Sequence, residues 1–210
     1  MATLQESNSI YKADKKVVFL LLCVVTFLLL YIKISFIENE TATFEFLADR
    51  PQGMVLQALN GMKLIGIPFI YLWKVTVIAF VVWVGCFMFG YRITYSQCWG
   101  IVLVAECIFL AAEIAKILYF LFIVTDPDLY EVHAFYPFSL LSFFDYVSLD
   151  KRYAYPLKAL NLFEIGYWAL LANGIHFYTR KKLKIAWIIV LCSYVVVFFL
   201  WLLFYMIVYH

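Results

Sequence analysis

Five apolar runs, each long enough to cross a bilayer as a helix, constrain this chain more than any other feature. They cover about 17–37, 64–90, 99–125, 159–179 and 185–209. A helix rises about 1.5 Å per residue, so about 20 apolar residues span the hydrocarbon, where lipid offers no partner for backbone amides and carbonyls. Outside these runs little is left: the chain is 66% hydrophobic and 14% charged, with a mean hydropathy of +0.92. That composition excludes a water-soluble fold. The expected fold class is an all-α membrane protein, with a short cytosolic arm, 1–16, and a single five-helix membrane domain, 17–210.

The first run follows Lys12, Lys15 and Lys16, as the core of a signal peptide would. It is too long for one, and it passes Lys33 into the acidic stretch from Glu38 to Asp49 without an A-x-A site, so it reads as a retained span. Orientation follows from the loops that hold Lys and Arg, because cationic segments resist transfer across the membrane. With the N-terminus inside, eight such residues fall inside: the three of the arm, Arg92, and the run Arg180, Lys181, Lys182 and Lys184. Five fall outside, namely Arg50, Lys63, Lys151, Arg152 and Lys158. The expected orientation is N-in and C-out.

Short inner connections, Tyr91 to Cys98 and Arg180 to Lys184, make spans two and three antiparallel neighbours, and likewise spans four and five. The outer connections are longer. Met54, Val55, Leu56, Ala58 and Leu59 have the spacing of a short amphipathic helix lying on the membrane surface. After the turn-like Asp126-Pro127-Asp128, the patch from Phe135 to Phe144 is too short to cross alone, which predicts an interfacial or re-entrant segment before the fourth span.

Several chemistries find no support. A net charge of +2 without a basic patch argues against nucleic acid. Cys23, Cys86, Cys98, Cys107 and Cys192 lie in or beside apolar stretches, with no CxxC pair, and read as small buried hydrophobes. His133, His176 and His210 are too scattered to form a ligand set. Ser139 and Ser142 lack a G-x-S-x-G turn, and no Gly-rich phosphate loop is present. No catalytic, cofactor or metal site is therefore expected.

The charges inside the apolar runs carry the functional reading, since an ionisable group in hydrocarbon needs protein, water or an opposite charge beside it. Lys74 lies in span two, Glu106, Glu113 and Lys116 in span three, and Glu164 near the outer end of span four. Glu113 and Lys116 share a helical face, with Glu106 two turns below. Counted from the outer ends, Lys74 reaches the depth of Lys116, which predicts a Lys74–Glu113 pair. One reading is a structural network, or a polar face awaiting a charged helix of another subunit. The alternative is a small proton- or ion-coupled transporter with Glu113 as carrier, tuned by Lys116 and Lys74. Against it, Gly66 and Pro68 near the outer end of span two are the main helix interruption, where transporters break helices near the midplane. A third reading is lipid handling by the loop 126–157. Lys33 is expected to snorkel to the headgroups, and Arg180, Lys181, Lys182 and Lys184 to touch anionic lipid.

Three further pieces carry a resemblance: Gly90-Tyr91-Arg92-Ile93-Thr94-Tyr95-Ser96-Gln97, Pro137-Phe138-Ser139-Leu140-Leu141, and Leu160-Asn161-Leu162-Phe163-Glu164-Ile165-Gly166-Tyr167-Trp168 running to Gly174. Over roughly 62–210 the chain resembles the Yip family, multi-span membrane proteins that include Rab-GTPase-interacting proteins of the Golgi and bacterial members. The short arm, and Asp128-Leu129-Tyr130-Glu131-Val132 in place of an Asp-Leu-Tyr-Gly-Pro type motif, set it beside the bacterial-type relatives. The resemblance implies five spans, N-in and C-out, in a bacterial inner membrane. Together these readings predict a non-enzymatic integral membrane accessory or scaffold subunit. Its expected partners are membrane lipids and another membrane protein or larger envelope complex, in protein export, trafficking or membrane-protein biogenesis.

Overall fold

A computed structural model describes residues 10–39, 41, 51–124, 129–144, 146, 149–180 and 182–209. Most of the N-terminal arm, most of the acidic stretch after Glu38, Arg50, Asp126-Pro127-Asp128, Lys181 and His210 lie outside the described residues. Among the described residues the protein is all-helical, with one isolated antiparallel bridge, Ser139 to Asn161.

Helix α1, Lys15–Lys33, starts at Asp14, whose carboxylate accepts from the Lys16 N–H at 3.0 Å, and runs through a π-helical turn to Glu38. Helix α2 spans Pro51–Met88 and ends at Gly90, where a φ of +75° supplies the left-handed conformation that closes a helix without a Cβ penalty. Helix α3, Tyr95–Phe122, begins with a capping box in which the side chains of Thr94 and Gln97 each accept from the other's backbone N–H. After the short α4, Leu129–Ala134, and one 3₁₀ turn, Leu140–Phe143, come α5, Lys151–Ala159, and α6, Leu162–Thr179, capped by Asn161. Helix α7, Leu183–Val190, continues through a π-helical turn, Leu191–Val195, into α8, Val196–Val208.

Among the described residues, three helical stretches are long and apolar enough to cross a membrane: Lys15–Glu38, Gln57–Met88 and Leu183–Val208. This is an integral membrane protein by that measure. Helix α3 is the centre of the bundle, packing against α1, α2 and α6, while α7 packs on α6 and the 191–195 turn on α2. The hairpin partners expected from the short connections, α2 with α3 and α6 with α7, do pack together. One end of the bundle gathers the start of α1, the start of α3 and the end of α6. Lys15 bonds to Ser96 there, the Tyr11 hydroxyl donates to the Leu170 carbonyl at 2.9 Å, and the Tyr178 hydroxyl donates to the Tyr11 carbonyl at 2.7 Å. We call this the basic end and the opposite one the loop end.

Two elements differ from the sequence expectation. The residues from Met54 to Leu59 form no separate surface helix; they are the first turns of α2, whose 38 residues extend for about 57 Å, nearly twice a hydrocarbon core of about 30 Å. Asn60 and Lys63 hold the junction, with Lys63 donating to Asn60 at 2.9 Å and Asn60 donating to Glu38 of α1 at 3.3 Å. Pro68 lies within α2 without ending it. Of the patch from Phe135 to Phe144, only Leu140–Phe143 is helical, as a single 3₁₀ turn with Phe143 exposed. The amphipathic helix of this loop is α5 instead, set off from α6 by the extended residues Leu160 and Asn161.

Close approach is built in at Gly85 and Gly174, among other glycines. A Cβ on Gly85 of α2 would lie 2.5 Å from Cβ of Ser193, and one on Gly174 of α6 would collide with Ile101 of α3. The π-helical turn presents Ser193 to α2 while its hydroxyl donates back to the Ile189 carbonyl at 2.7 Å.

Candidate functional site

Lys74 and Glu106 meet where α2 crosses α3. Lys74 Nζ lies 2.8 Å from Glu106 Oε2 and 4.6 Å from the centroid of the Phe109 ring, one turn along α3. The two partners sit in unequal surroundings. The Glu106 side chain is 1% exposed and that of Lys74 is 41% exposed, on the outside of the bundle.

Behind Glu106 the polar groups continue into the core. Tyr167 of α6 is fully buried; it interacts electrostatically with Glu106, and its ring packs 5.2 Å from Phe109 and 5.3 Å from Tyr194. The Tyr194 hydroxyl donates to Glu164 Oε1 at 2.8 Å, and Trp168 Nε1 donates to the same oxygen at 3.0 Å. The Glu164 N–H in turn donates to the Asn161 side chain at 2.9 Å, in the first turn of α6, where the helix dipole favours a carboxylate. A row of polar groups, Lys74, Glu106, Tyr167, Tyr194 and Glu164, thus crosses from the surface of α2 through α3 and α6 to the last helix. Apart from each other, Glu106 Oε1 and the Tyr167 hydroxyl, both buried in its middle, have no hydrogen-bond partner among the described residues.

The expected Lys74–Glu113 pair is not formed, and the hairpin register explains why. The segment 89–94 carries the chain back along α2, so that Tyr95 packs edge-on to Trp83 at 6.4 Å and its hydroxyl donates to the Thr76 carbonyl at 3.1 Å. From that level Lys74 is about 14 Å away along α2, and Glu106 and Glu113 are about 17 and 27 Å away along α3. Glu106 is the nearer in depth. Glu113 itself is half-buried and makes no hydrogen bond or ion pair among the described residues. Lys116 is buried but committed elsewhere: its ammonium donates to the carbonyls of Val132 at 2.5 Å and Phe135 at 2.8 Å, closing the C-terminal end of α4.

Lys33 also differs from expectation, pairing at 3.4 Å with Glu38, which is buried and holds the loop end of α1 against α2. Arg180, Lys182 and Lys184 are exposed at the basic end. The five-residue set named from sequence is therefore split in two. Lys74, Glu106 and Glu164 belong to one connected row, and Glu113 and Lys116 lie nearer the loop end. The sequence reading missed Tyr167, Trp168 and Tyr194 as polar members, although Glu164 and Trp168 stand four apart on one helical face. Among the described residues no three His, Cys, Asp or Glu side chains converge on a metal-sized site. No protein family, curated protein or solved structure matches this chain.

Proposed function

We propose that the protein is a non-enzymatic integral membrane accessory or scaffold subunit that docks to a larger membrane assembly through the face of α2 around Lys74. The observation that carries this reading is the 41% exposure of the Lys74 side chain beside exposed Trp73, Val77 and Phe80. Lys74 lies well inside the bilayer depth of a helix that is otherwise apolar there. A cation facing lipid at that depth is costly, and a polar group on a neighbouring helix removes the cost. Glu106, Lys116 and Glu164 are answered within the chain, which suits a packing role, whereas Glu113 has no hydrogen bond or ion pair among the described residues.

Five spans, N-in and C-out, in a bacterial inner membrane complete the reading. Its family setting is the bacterial-type branch of the Yip family. Two of the three pieces behind that resemblance pair through their backbones: the Leu140 N–H donates to the Leu160 carbonyl at 2.9 Å and the Leu162 N–H to the Phe138 carbonyl at 3.2 Å. The exposed Arg180, Lys182 and Lys184, with Lys181, contact anionic lipid at the cytoplasmic face. The test is a photo-crosslinking residue at Val77 in cells, followed by purification in mild detergent and mass spectrometry. A stoichiometric membrane-protein adduct at Val77, absent from a control at exposed Leu20 of α1, is the expected result. A monomer without adduct overturns the reading.

A proton-coupled carrier is the second reading, favoured by the buried Glu106 carboxylate and Tyr167 hydroxyl, which act on each other in the middle of a titratable row. Proton flux into liposomes containing the protein, lost in Glu106→Gln, would establish it in place of the scaffold.

A further inference from the structure

The short pairing between the loop and the start of α6 has its polarity inverted. Ser139 and Asn161 face each other across the bridge, and both are buried, Ser139 to 1% exposure. Phe138 and Leu140 on either side of Ser139, and Leu162 beside Asn161, are exposed, Phe138 to 70%. Successive side chains of a paired strand point to opposite faces, so this pairing buries its polar residues and turns apolar ones outward. Against water the alternation runs the other way. The outward apolar face continues into the 3₁₀ turn, where Phe143 and then Phe144 are exposed.

The backbone is equipped for apolar surroundings. Within hydrocarbon an irregular segment is tolerated only where its amides and carbonyls find partners in protein. The Leu140 and Leu162 N–H groups are taken by the pairing itself, and those of Ser139, Ser142 and Phe144 donate to the carbonyls of Tyr136, Ser139 and Leu141 at 3.3, 3.2 and 3.0 Å. The side chain of Asn161 donates to the carbonyls of Lys158 and Ala159 while its oxygen accepts from the Glu164 N–H. The hydroxyls of Ser139 and Ser142 share a hydrogen bond of 3.4 Å. Phe138 holds a left-handed φ of +55°, uncommon for a bulky side chain, and its ring lies 6.2 Å from that of Phe163. Strained backbone of this kind persists where its surroundings hold it in place.

Depth places lipid against this face. Helix α6 has 18 residues and is about 27 Å long, short of a hydrocarbon core of about 30 Å, and any tilt shortens its reach further. Its C-terminal end lies beside exposed Arg180 at the basic end. With that end at the membrane boundary, the hydrocarbon runs past Leu162 and over the bridge. The outward residues of the pairing continue the surface of exposed Leu162 and Ile165 on α6, and none of Phe138, Leu140, Phe143 and Phe144 carries a polar group.

We propose that the segment 138–144 is embedded in the acyl layer of the bilayer, where Phe138, Leu140 and Phe143 contact lipid chains and complete the hydrophobic surface of the fourth span with a loop in place of helix. This inference rests on the reading of α6 as a span and is independent of docking at the Lys74 face. The experiment places 4-fluorophenylalanine singly at Phe138, Phe143, Ile165 or Phe204 of the full chain in phosphatidylcholine nanodiscs. Fluorine relaxation is then compared under dissolved oxygen, which partitions into hydrocarbon, and under a water-soluble gadolinium chelate. At Phe138 and Phe143 the label changes the side chain by one atom, so the fold is kept. Phe204, exposed on α8, is the lipid-facing reference. The expected result is that oxygen outweighs the chelate at Phe138 and Phe143 as it does at Phe204. A chelate effect outweighing oxygen at either position overturns the proposal by placing the segment in water. If oxygen still dominates at Ile165, α6 remains a span; if the chelate dominates there too, the span reading falls with it. Shielding of Phe138 and Phe143 from both agents also overturns the proposal, by assigning the face to another protein or a second copy of this chain.

Discussion

Tyr194 donates its hydroxyl to Glu164 Oε1 at 2.8 Å, joining a π-helical turn in the last helix to the first turn of α6. With Trp168 bonding to the same oxygen, a buried carboxylate is held by two neutral donors. Tyr194→Phe removes one of them and leaves the hydrophobic contacts in place. The expected cost is about 1.5–3 kcal/mol, as for a hydrogen bond to a charged group. It is read as a lowered melting temperature in detergent, and Trp168→Phe should act in the same direction.

Gly85 faces Ser193 with no room for a methyl group. Gly85→Ala is expected to destabilise the bundle by about 1–3 kcal/mol through overpacking between α2 and the 191–195 turn. The contact is with Cβ of Ser193, so Ser193→Gly should restore part of the loss and Ser193→Ala should restore little. Thermal denaturation of the three variants separates this steric account from a loss of helix propensity, to which alanine would contribute favourably.

Lys116 holds α4 by two carbonyls, a role that methionine cannot take over. Lys116→Met is expected to leave the bundle assembled while amide hydrogen exchange rises by an order of magnitude or more across 129–136, for a loss of about 1.5–3 kcal/mol of local stability. If exchange instead rose uniformly across α3, the lysine would be holding the bundle and not the short helix.

Tyr11 gives a pH dependence with a defined sign. Burial pushes its phenol up to about 12, from an ordinary value near 10. Below pH 10 the phenol is neutral in both folded and unfolded chains. Between about 10 and 12 the unfolded chain loses this proton and the folded one keeps it, so stability falls as pH rises through that window. Tyr11→Phe should remove that part of the alkaline slope, as measured by melting temperature from pH 9 to 12.

How much of this was legible in the sequence follows from which forces are local. Apolar blocks of twenty residues are visible in one dimension, so the helices 15–38, 95–122, 162–179 and 183–208 fall close to the expected runs. The start of α2 was misplaced because Met54 to Leu59 can lie on a surface or extend a span, and the Glu38–Asn60 bond that decides between them joins separate helices. Lys74 was assigned to Glu113 because depth was counted from assumed outer ends, whereas the packing of Tyr95 on Trp83 sets the register. Lys116 looked like a member of an ion-pair network. Its partners are backbone carbonyls, which no side-chain pattern marks. Tyr167 and Tyr194 drew no polar reading because nothing along the chain says that they stand between two buried carboxylates.

The claim on which the account turns is that Lys74 and Glu106 answer one another within the bundle and hold α2 to α3. A double-mutant cycle on Lys74 and Glu106, with melting temperature in detergent as the readout, tests it most directly. Because Glu106 is buried and Lys74 is partly exposed, Lys74→Met strands the costlier charge and should destabilise by about 3–5 kcal/mol, more than Glu106→Gln does. The double variant should be more stable than the sum of the two losses predicts, by at least about 1 kcal/mol of coupling. Additive losses, or a Glu106→Gln protein as stable as the parent but altered in proton permeation, would contradict the account.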